Sequence, residues 1–209
     1  KLNMIPDFVK NNTWILAFSV VAVVAITLAV GTYNAMVPRI VKYDISIDKK
    51  AGDLKKLKCA MISDIHLGEI IGRDRLKTAV GLINEMEPDV VVITGDLIDN
   101  AIEPVIKQNM LEELKNINSR YGTFVVMGNH DYFSNAVDDL TRRLEDTGVT
   151  VLRDRTVKVN NSFYIVGRED KTSLRYGFSR KNLQELLEEA DTTLPIIVLD
   201  HQPSELDEP

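Results

Sequence analysis

The chain predicts a mixed α/β domain built from two packed β-sheets flanked by helices, preceded by one membrane-crossing helix. Three observations carry that expectation. From Lys58 onward, apolar runs rich in β-branched residues alternate with helical patterns, then give way to short strands, then return to a helix and a strand. Four of the apolar runs end in a side chain able to bind a metal. Finally, no charged residue occurs between Lys10 and Arg39.

The N-terminal segment comes first. Trp14–Tyr33 supplies roughly the 20 residues that a bilayer-spanning helix needs. Trp14 and Tyr33 flank it as interfacial aromatics do. A buried core helix would carry a polar stripe, which is absent. A signal peptide has a shorter apolar core, of about 7–15 residues, and a small-x-small site after it. The expected organisation is therefore an N-terminal flank (1–12), a transmembrane helix (13–33), a connector (34–56) and an α/β domain (57–209). Orientation is open on the residues alone. Lys1 and Lys10 lie on one side and Arg39, Lys42, Lys49 and Lys50 on the other, a count that favours a cytoplasmic domain. The chain opens with Lys1 rather than Met, so upstream residues are expected to exist and to bear on topology.

Within the connector, Val41–Ile47 alternates with Tyr43, Ile45 and Ile47 on one face, the pattern of an edge strand. Strand signals then fall on Cys59–Ser63, Val90–Thr94, Phe124–Met127, Thr150–Leu152, Thr156–Val159, Ser162–Val166 and Pro195–Leu199. Asn160-Asn161 marks a hairpin turn. Helical patterns cover Arg73–Met86 (stopped by Pro88), Glu103–Ser119, Asn135–Asp146 and Ser179–Glu189. The single Cys59 excludes an internal disulfide framework and reads as a core residue.

Charge narrows the function classes. Residues 1–50 are net +3, leaving −9 on the rest of a chain whose total is −6. So acidic a domain, without a basic stripe, is a poor candidate for nucleic-acid binding, and no nucleic-acid partner is expected.

The chemistry lies in the four junctions: Asp64-Ile65-His66, Gly95-Asp96, Gly128-Asn129-His130-Asp131 and Asp200-His201. All three histidines of the chain sit in them. Loops leaving the carboxyl ends of strands form the binding crevice of open α/β sheets. Asp64 and His66 are two apart, so an extended loop would project both toward one ion. Asp96 can bridge two ions with its two oxygens. Asn129 offers a neutral carbonyl oxygen and His201 an imidazole. Mixed O and N donors suit Mn, Fe or Zn rather than Ca or Mg alone. Two such ions about 3.5–4 Å apart would supply a metal-bound hydroxide for in-line displacement at phosphorus. His130 is placed to stabilise or protonate the leaving oxygen, with Asp99 orienting it and Asp131 supporting the ligands. Taken singly, each residue also has an ordinary structural reading as a turn, cap or core residue.

As an ordered set, these motifs resemble the calcineurin-like metallophosphoesterase superfamily. Its signature is Asp-x-His, Gly-Asp-x-x-Asp, Gly-Asn-His-Asp/Glu, a further His, and Gly-His-x-His. The first four appear as Asp64-Ile65-His66, Gly95-Asp96-Leu97-Ile98-Asp99, Gly128-Asn129-His130-Asp131 and His201. Ser63-Asp64-Ile65-His66-Leu67-Gly68 and Leu199-Asp200-His201-Gln202-Pro203 are typical of the family's membrane-anchored bacterial branch. The resemblance implies a metallophosphoesterase sandwich of two mixed sheets, with Asp64 and His66 on a first metal and Asp96 bridging. Asn129 and His201 would hold a second metal, and His130 with Asp99 would form the catalytic dyad. It implies a metal-dependent phosphoesterase acting on a phosphomonoester or phosphodiester, with a lipid-linked substrate as one candidate. It also favours an extracytoplasmic side.

Gly-His-x-His does not occur, so a fragment of a longer protein is expected, with weak metal binding and little turnover of its own. The rival reading is a non-catalytic scaffold or binding domain that keeps the fold. Three lesser features read as structural. Arg73 and Arg75 look like a solvated helix start, with phosphate contact as the alternative. Gly167-Arg168-Glu169-Asp170 looks like an exposed charged loop, with a place over the cleft as the alternative. Arg142-Arg143 looks like a solvated helix face.

Overall fold

The structure is a computed structural model that describes residues 12–203. The outer part of the N-terminal flank, 1–11, and the last six residues lie outside the described residues. The chain forms two compact units, 1–45 and 46–209.

The first unit is dominated by helix α1, Thr13–Met36, none of whose residues is buried. At 1.5 Å per residue its 24 residues reach about 36 Å, enough to cross a hydrocarbon core of about 30 Å. It carries no acidic residue in its first turn and no basic one in its last. The expected edge strand at Val41–Ile47 does not form. Those residues have no regular structure, and Tyr43 and Ile45 are each 81% exposed. Alternation supplies a face, but a strand needs a neighbouring edge to pair with.

The second unit is the predicted α/β sandwich. Strands β1 (Cys59–Ile62), β2 (Val90–Thr94), β3 (Thr123–Val126) and β4 (Thr150–Val151) form one parallel sheet in that order. Strands β5 (Arg155–Val159), β6 (Phe163–Gly167) and β7 (Ile196–Leu199) form the second, with β5–β6 antiparallel and β6–β7 parallel. Asn160 and Asn161 take φ values of +49° and +52° in the hairpin between β5 and β6. That left-handed pair matches the right-handed twist of the flanking strands.

The sheets pack face to face. Val90, Val92, Phe124 and Val126 of the first meet Val159, Phe163, Ile165 and Leu199 of the second. The first sheet's other face is covered by α2 (Arg73–Glu85), α3 (Glu103–Lys107) and α5 (Val137–Glu145). Helix α2 buries Leu76, Val80 and Ile83, and α5 buries Val137, Leu140 and Leu144. Both sets recur at three- and four-residue spacing, one face of a helix. Each such side chain contributes about 1.5–3 kcal/mol.

Four further expectations need correction. The helix expected over Glu103–Ser119 breaks into α3 and a 3₁₀ segment, Met110–Asn116, because Asn109 adopts φ +48°. The break turns Met110, Leu111 and Leu114 into the core. Helix Ser179–Glu189 shrinks to α6, Leu183–Leu187, capped by Asn182, whose side chain accepts from the Glu185 N–H. Cys59 is not a core residue. It and Met61 face out of β1, and Met61 is 72% exposed, while Ala60 is buried. Arg168, Glu169 and Asp170 are not an exposed loop either: all three are buried, at 3% exposure for Glu169.

Candidate metal centre

The four junctions converge at the carboxyl ends of β1, β2, β3 and β7. The first two are laced together by backbone bonds that extend the β1–β2 ladder beyond its strands. Asp64 N–H donates to Gly95 O, His66 N–H to Asp96 O, Leu67 N–H to Leu97 O, and Asp99 N–H back to Leu67 O. The ladder does not run through extended backbone. Asp64, His66 and Asp96 have φ of +54°, +52° and +51°, all left-handed. Their approach is therefore made by tight turns rather than by the extended loop that the sequence spacing implies. Each such residue costs of order 1–3 kcal/mol, and strain of this kind gathers at functional sites.

Asp96 is the centre of the cluster. Its side chain is 5% exposed, and Oδ2 lies 3.7 Å from His66 Nε2 and 3.3 Å from His201 Nε2. Oδ1 accepts the His130 backbone N–H at 2.9 Å. Asp64 Oδ1 lies 3.9 Å from His66 Nε2. Asn129 Oδ1 is 3.3 Å from His201 Nε2. Two sets of ligand atoms, from His66, Asp96 and His130 and from Asp64, Asp96 and His201, each fall within 4.8 Å of one another. All five expected metal-binding side chains are thus brought together. The grouping also draws in His130, which the sequence assigns to proton transfer.

Glycine makes the close approach attainable. A Cβ on Gly95 (φ +95°) would stand 2.6 Å from His201 Nδ1 and 2.8 Å from Gly128 Cα. One on Gly128 would collide with the Asp96 carboxylate and backbone nitrogen. The glycines preceding Asp96 and Asn129 in the two motifs are therefore steric requirements of the cluster.

The imidazoles are oriented from behind. His201 Nδ1 is 2.8 Å from Thr94 O, and His130 Nδ1 is 2.8 Å from Asp99 O. A carbonyl only accepts, so Nδ1 carries the proton in each ring and Nε2 faces the site. Asp99 contacts His130 through its main-chain carbonyl, with its carboxylate Oδ1 3.3 Å away. That carboxylate also lies 3.7 Å from His66 Nδ1. Asp131 is fully buried and accepts the N–H groups of Ile98 (3.0 Å) and Gly128 (2.8 Å), tying the second junction to the third.

Electrostatics show what the cluster calls for. Burial raises the Asp96 pKa, but hydrogen bonds from His201 and His130 outweigh it and the net shift is downward. The same Asp96 bond lifts His201 to about 9, against its own burial. A buried carboxylate of this kind favours positive charge beside it. Burial pushes Asp131 up to about 7, with its two backbone donors pulling the other way. The donor set fits divalent ions. Asp96 presents Oδ2 to the Nε2 atoms of His66 and His201, and the outer nitrogen of His201 is anchored to the Thr94 carbonyl, a usual arrangement around metal-binding histidine.

Several contributors escape the sequence. Gln202 Nε2 donates to Asn129 Oδ1 at 2.8 Å, which only its adjacency to His201 could have suggested. Arg168 and Arg180 both pair with Asp200 Oδ2, at 3.0 and 3.1 Å. Tyr132 donates its hydroxyl to Glu169, which Arg153 also grips. Arg73, read as solvated, pairs with buried Glu113 at 2.7 Å.

Comparison with known proteins bears on what this geometry is for. Residues 57–208 match the model of the calcineurin-like phosphoesterase family. A transmembrane protein with metallophosphoesterase domain from Danio rerio is 33% identical over 198 residues, 90% of this chain and 44% of that protein. An uncharacterised metallophosphoesterase of Campylobacter jejuni is 35% identical over 76% of this chain and 42% of its own length. One from Aquifex aeolicus is 31% identical over 79% of this chain and 62% of its own. The chain thus spans about half the length of these relatives.

Proposed function

This chain belongs to the calcineurin-like phosphoesterase family, and from that premise we propose that it is the membrane-anchored, metal-binding part of an enzyme hydrolysing a phosphomonoester or phosphodiester. The observation that carries the reading is the convergence of His66, His201 and Asp64 on the carboxylate of Asp96. Asp64 and His66 would hold one divalent ion, Asn129 and His201 a second, and Asp96 both. Mn, Fe or Zn suits these donors. When bound, such a pair acidifies water and stabilises the attacking and leaving oxygens of an in-line displacement at phosphorus.

The chain's own residues do the rest. Asp99 O holds the His130 Nδ1 proton and turns Nε2 toward the site, where the ring, once protonated on both nitrogens, would give its Nε2 proton to the leaving oxygen. The His130 main-chain N–H holds Asp96 Oδ1, which leaves Oδ2 for the cations. Asp131 keeps the two loops in register from below.

In this reading 13–33 anchors the protein, 34–56 connects, and 57 onward is catalytic. The long apolar helix α1 and the name of the Danio rerio relative support membrane association. A lipid-linked phosphoester and an extracytoplasmic face are the refinements we favour. The test is hydrolysis of bis-p-nitrophenyl phosphate and p-nitrophenyl phosphate by the full-length protein with Mn²⁺, Fe²⁺ or Zn²⁺. Activity should fall to background in Asp96→Asn. A parent inactive with every metal would point instead to a scaffold that keeps the fold.

A further inference from the structure

The buried charges behind β6 and β7 have no part in the chemistry above, yet they occupy a telling place. Asn129 and His201 come from different sheets: Asn129 opens the short helix α4 (Asn129–Phe133) after β3, while His201 follows β7. Nothing in either sheet's own ladder fixes their separation. The segment leaving β6 touches the carriers of both. Gly167 stands opposite Leu199 in the β6–β7 register, and the Arg168 N–H donates to Leu199 O at 2.9 Å. Arg168 then pairs with Asp200, the residue before His201. Its neighbour Glu169 accepts the hydroxyl of Tyr132, on the same helix as Asn129. Arg153 holds Glu169 from the other side at 2.7 Å, and the Glu169 N–H donates to Asp154 Oδ1 at 2.8 Å.

The central members of this chain of contacts are removed from water. Side-chain exposure is 4% for Arg168, 5% for Arg180, 9% for Asp200 and 3% for Glu169, and Tyr132 is fully buried. Buried ion pairs of this kind add little net stability, because desolvation offsets their attraction. What they add is geometry, since each charge has few positions in which it is satisfied. The network ends beside His201 and Asn129, whose Nε2 and Oδ1 lie 3.3 Å apart, an approach also held by His201 on Thr94 O and by Gln202 on Asn129.

We infer that Arg168 and Glu169 are positioning residues that set the spacing of Asn129 and His201, and thereby the affinity for the second of two cations. The inference rests on the two-cation reading above. Outer partners of metal ligands typically govern about 10–100-fold in affinity.

The experiment titrates Mn²⁺ into detergent-solubilised full-length protein, following uptake by calorimetry and the spin-coupled two-manganese signal by electron paramagnetic resonance. Arg168→Met severs the Asp200 contact. Tyr132→Phe severs the Glu169 contact while keeping the ring in the core, so it reports even where Arg168→Met fails to fold. In both variants one ion should weaken about 10–100-fold and the coupled signal should fade, while the other ion binds as in the parent. Arg168→Lys, which keeps a cation opposite Asp200, should restore most of the second ion. Unchanged affinity for both ions in Tyr132→Phe, or equal weakening of both, overturns the inference. A parent that takes up a single ion with no coupled signal is a different failure. It removes the two-cation reading, and this inference with it.

Discussion

The two sheets bring their ligands to the site by different means. On the first sheet, Asp64, His66, Asp96 and Asn129 are placed by main chain: a continued β-ladder, three left-handed residues, two glycines and the backbone donors held by Asp131. On the second, His201 arrives at the end of β7 beside the buried pairs of Asp200 with Arg168 and Arg180. Adjacent parallel strands share a ladder that transmits register directly. Strands in separate sheets share none, so side chains must carry the alignment across the sandwich.

Four substitutions would sharpen or break that contrast. The largest loss of stability is expected for Asp200→Asn, which leaves two buried guanidinium groups facing a neutral amide. About 3–5 kcal/mol should be lost, read by denaturant unfolding. Asp131→Ala comes next: two buried N–H groups lose their acceptor, at about 2–4 kcal/mol in the same assay. Gly128→Ala should cost about 1–3 kcal/mol of overpacking. Its larger effect should be on Mn²⁺ uptake, because the added methyl displaces Asp96 and so touches both ions. Arg142→Ala removes an exposed partner of Asp139 and should change stability by less than about 0.5 kcal/mol. A loss at Arg142 as large as at Asp200 would show that burial is not what separates the two regions.

The motifs were legible because each residue type has a local reason to stand where it does. Asp, Asn and His tolerate tight turns, and Gly95 and Gly128 sit where any Cβ would clash. The apolar runs of β2 and β3 read as strands because both faces are buried. Where the reading failed, local pattern met a tertiary decision. Val41–Ile47 alternates like a strand but pairs with no strand among the described residues, and Glu103–Ser119 has a helical pattern that Asn109 interrupts. Cys59 has apolar neighbours in sequence, yet it lies on the uncovered side of β1. Arg168-Glu169-Asp170 looked like a solvated loop, because charge alone gives no hint of an opposite charge folded against it.

By itself, the sequence determined the order of strands and helices, the apolar N-terminal helix and the identities of the side chains that gather at the strand ends. Those depend on periodicity, composition and turn chemistry within a few residues. Only the tertiary structure decided which atoms of those side chains face one another. It set the His130 and His201 tautomers through the carbonyls of Asp99 and Thr94, and it buried Arg168, Glu169 and Asp200 behind the site. These outcomes join residues 31 to 107 positions apart, and contacts over such separations depend on the packing of whole elements.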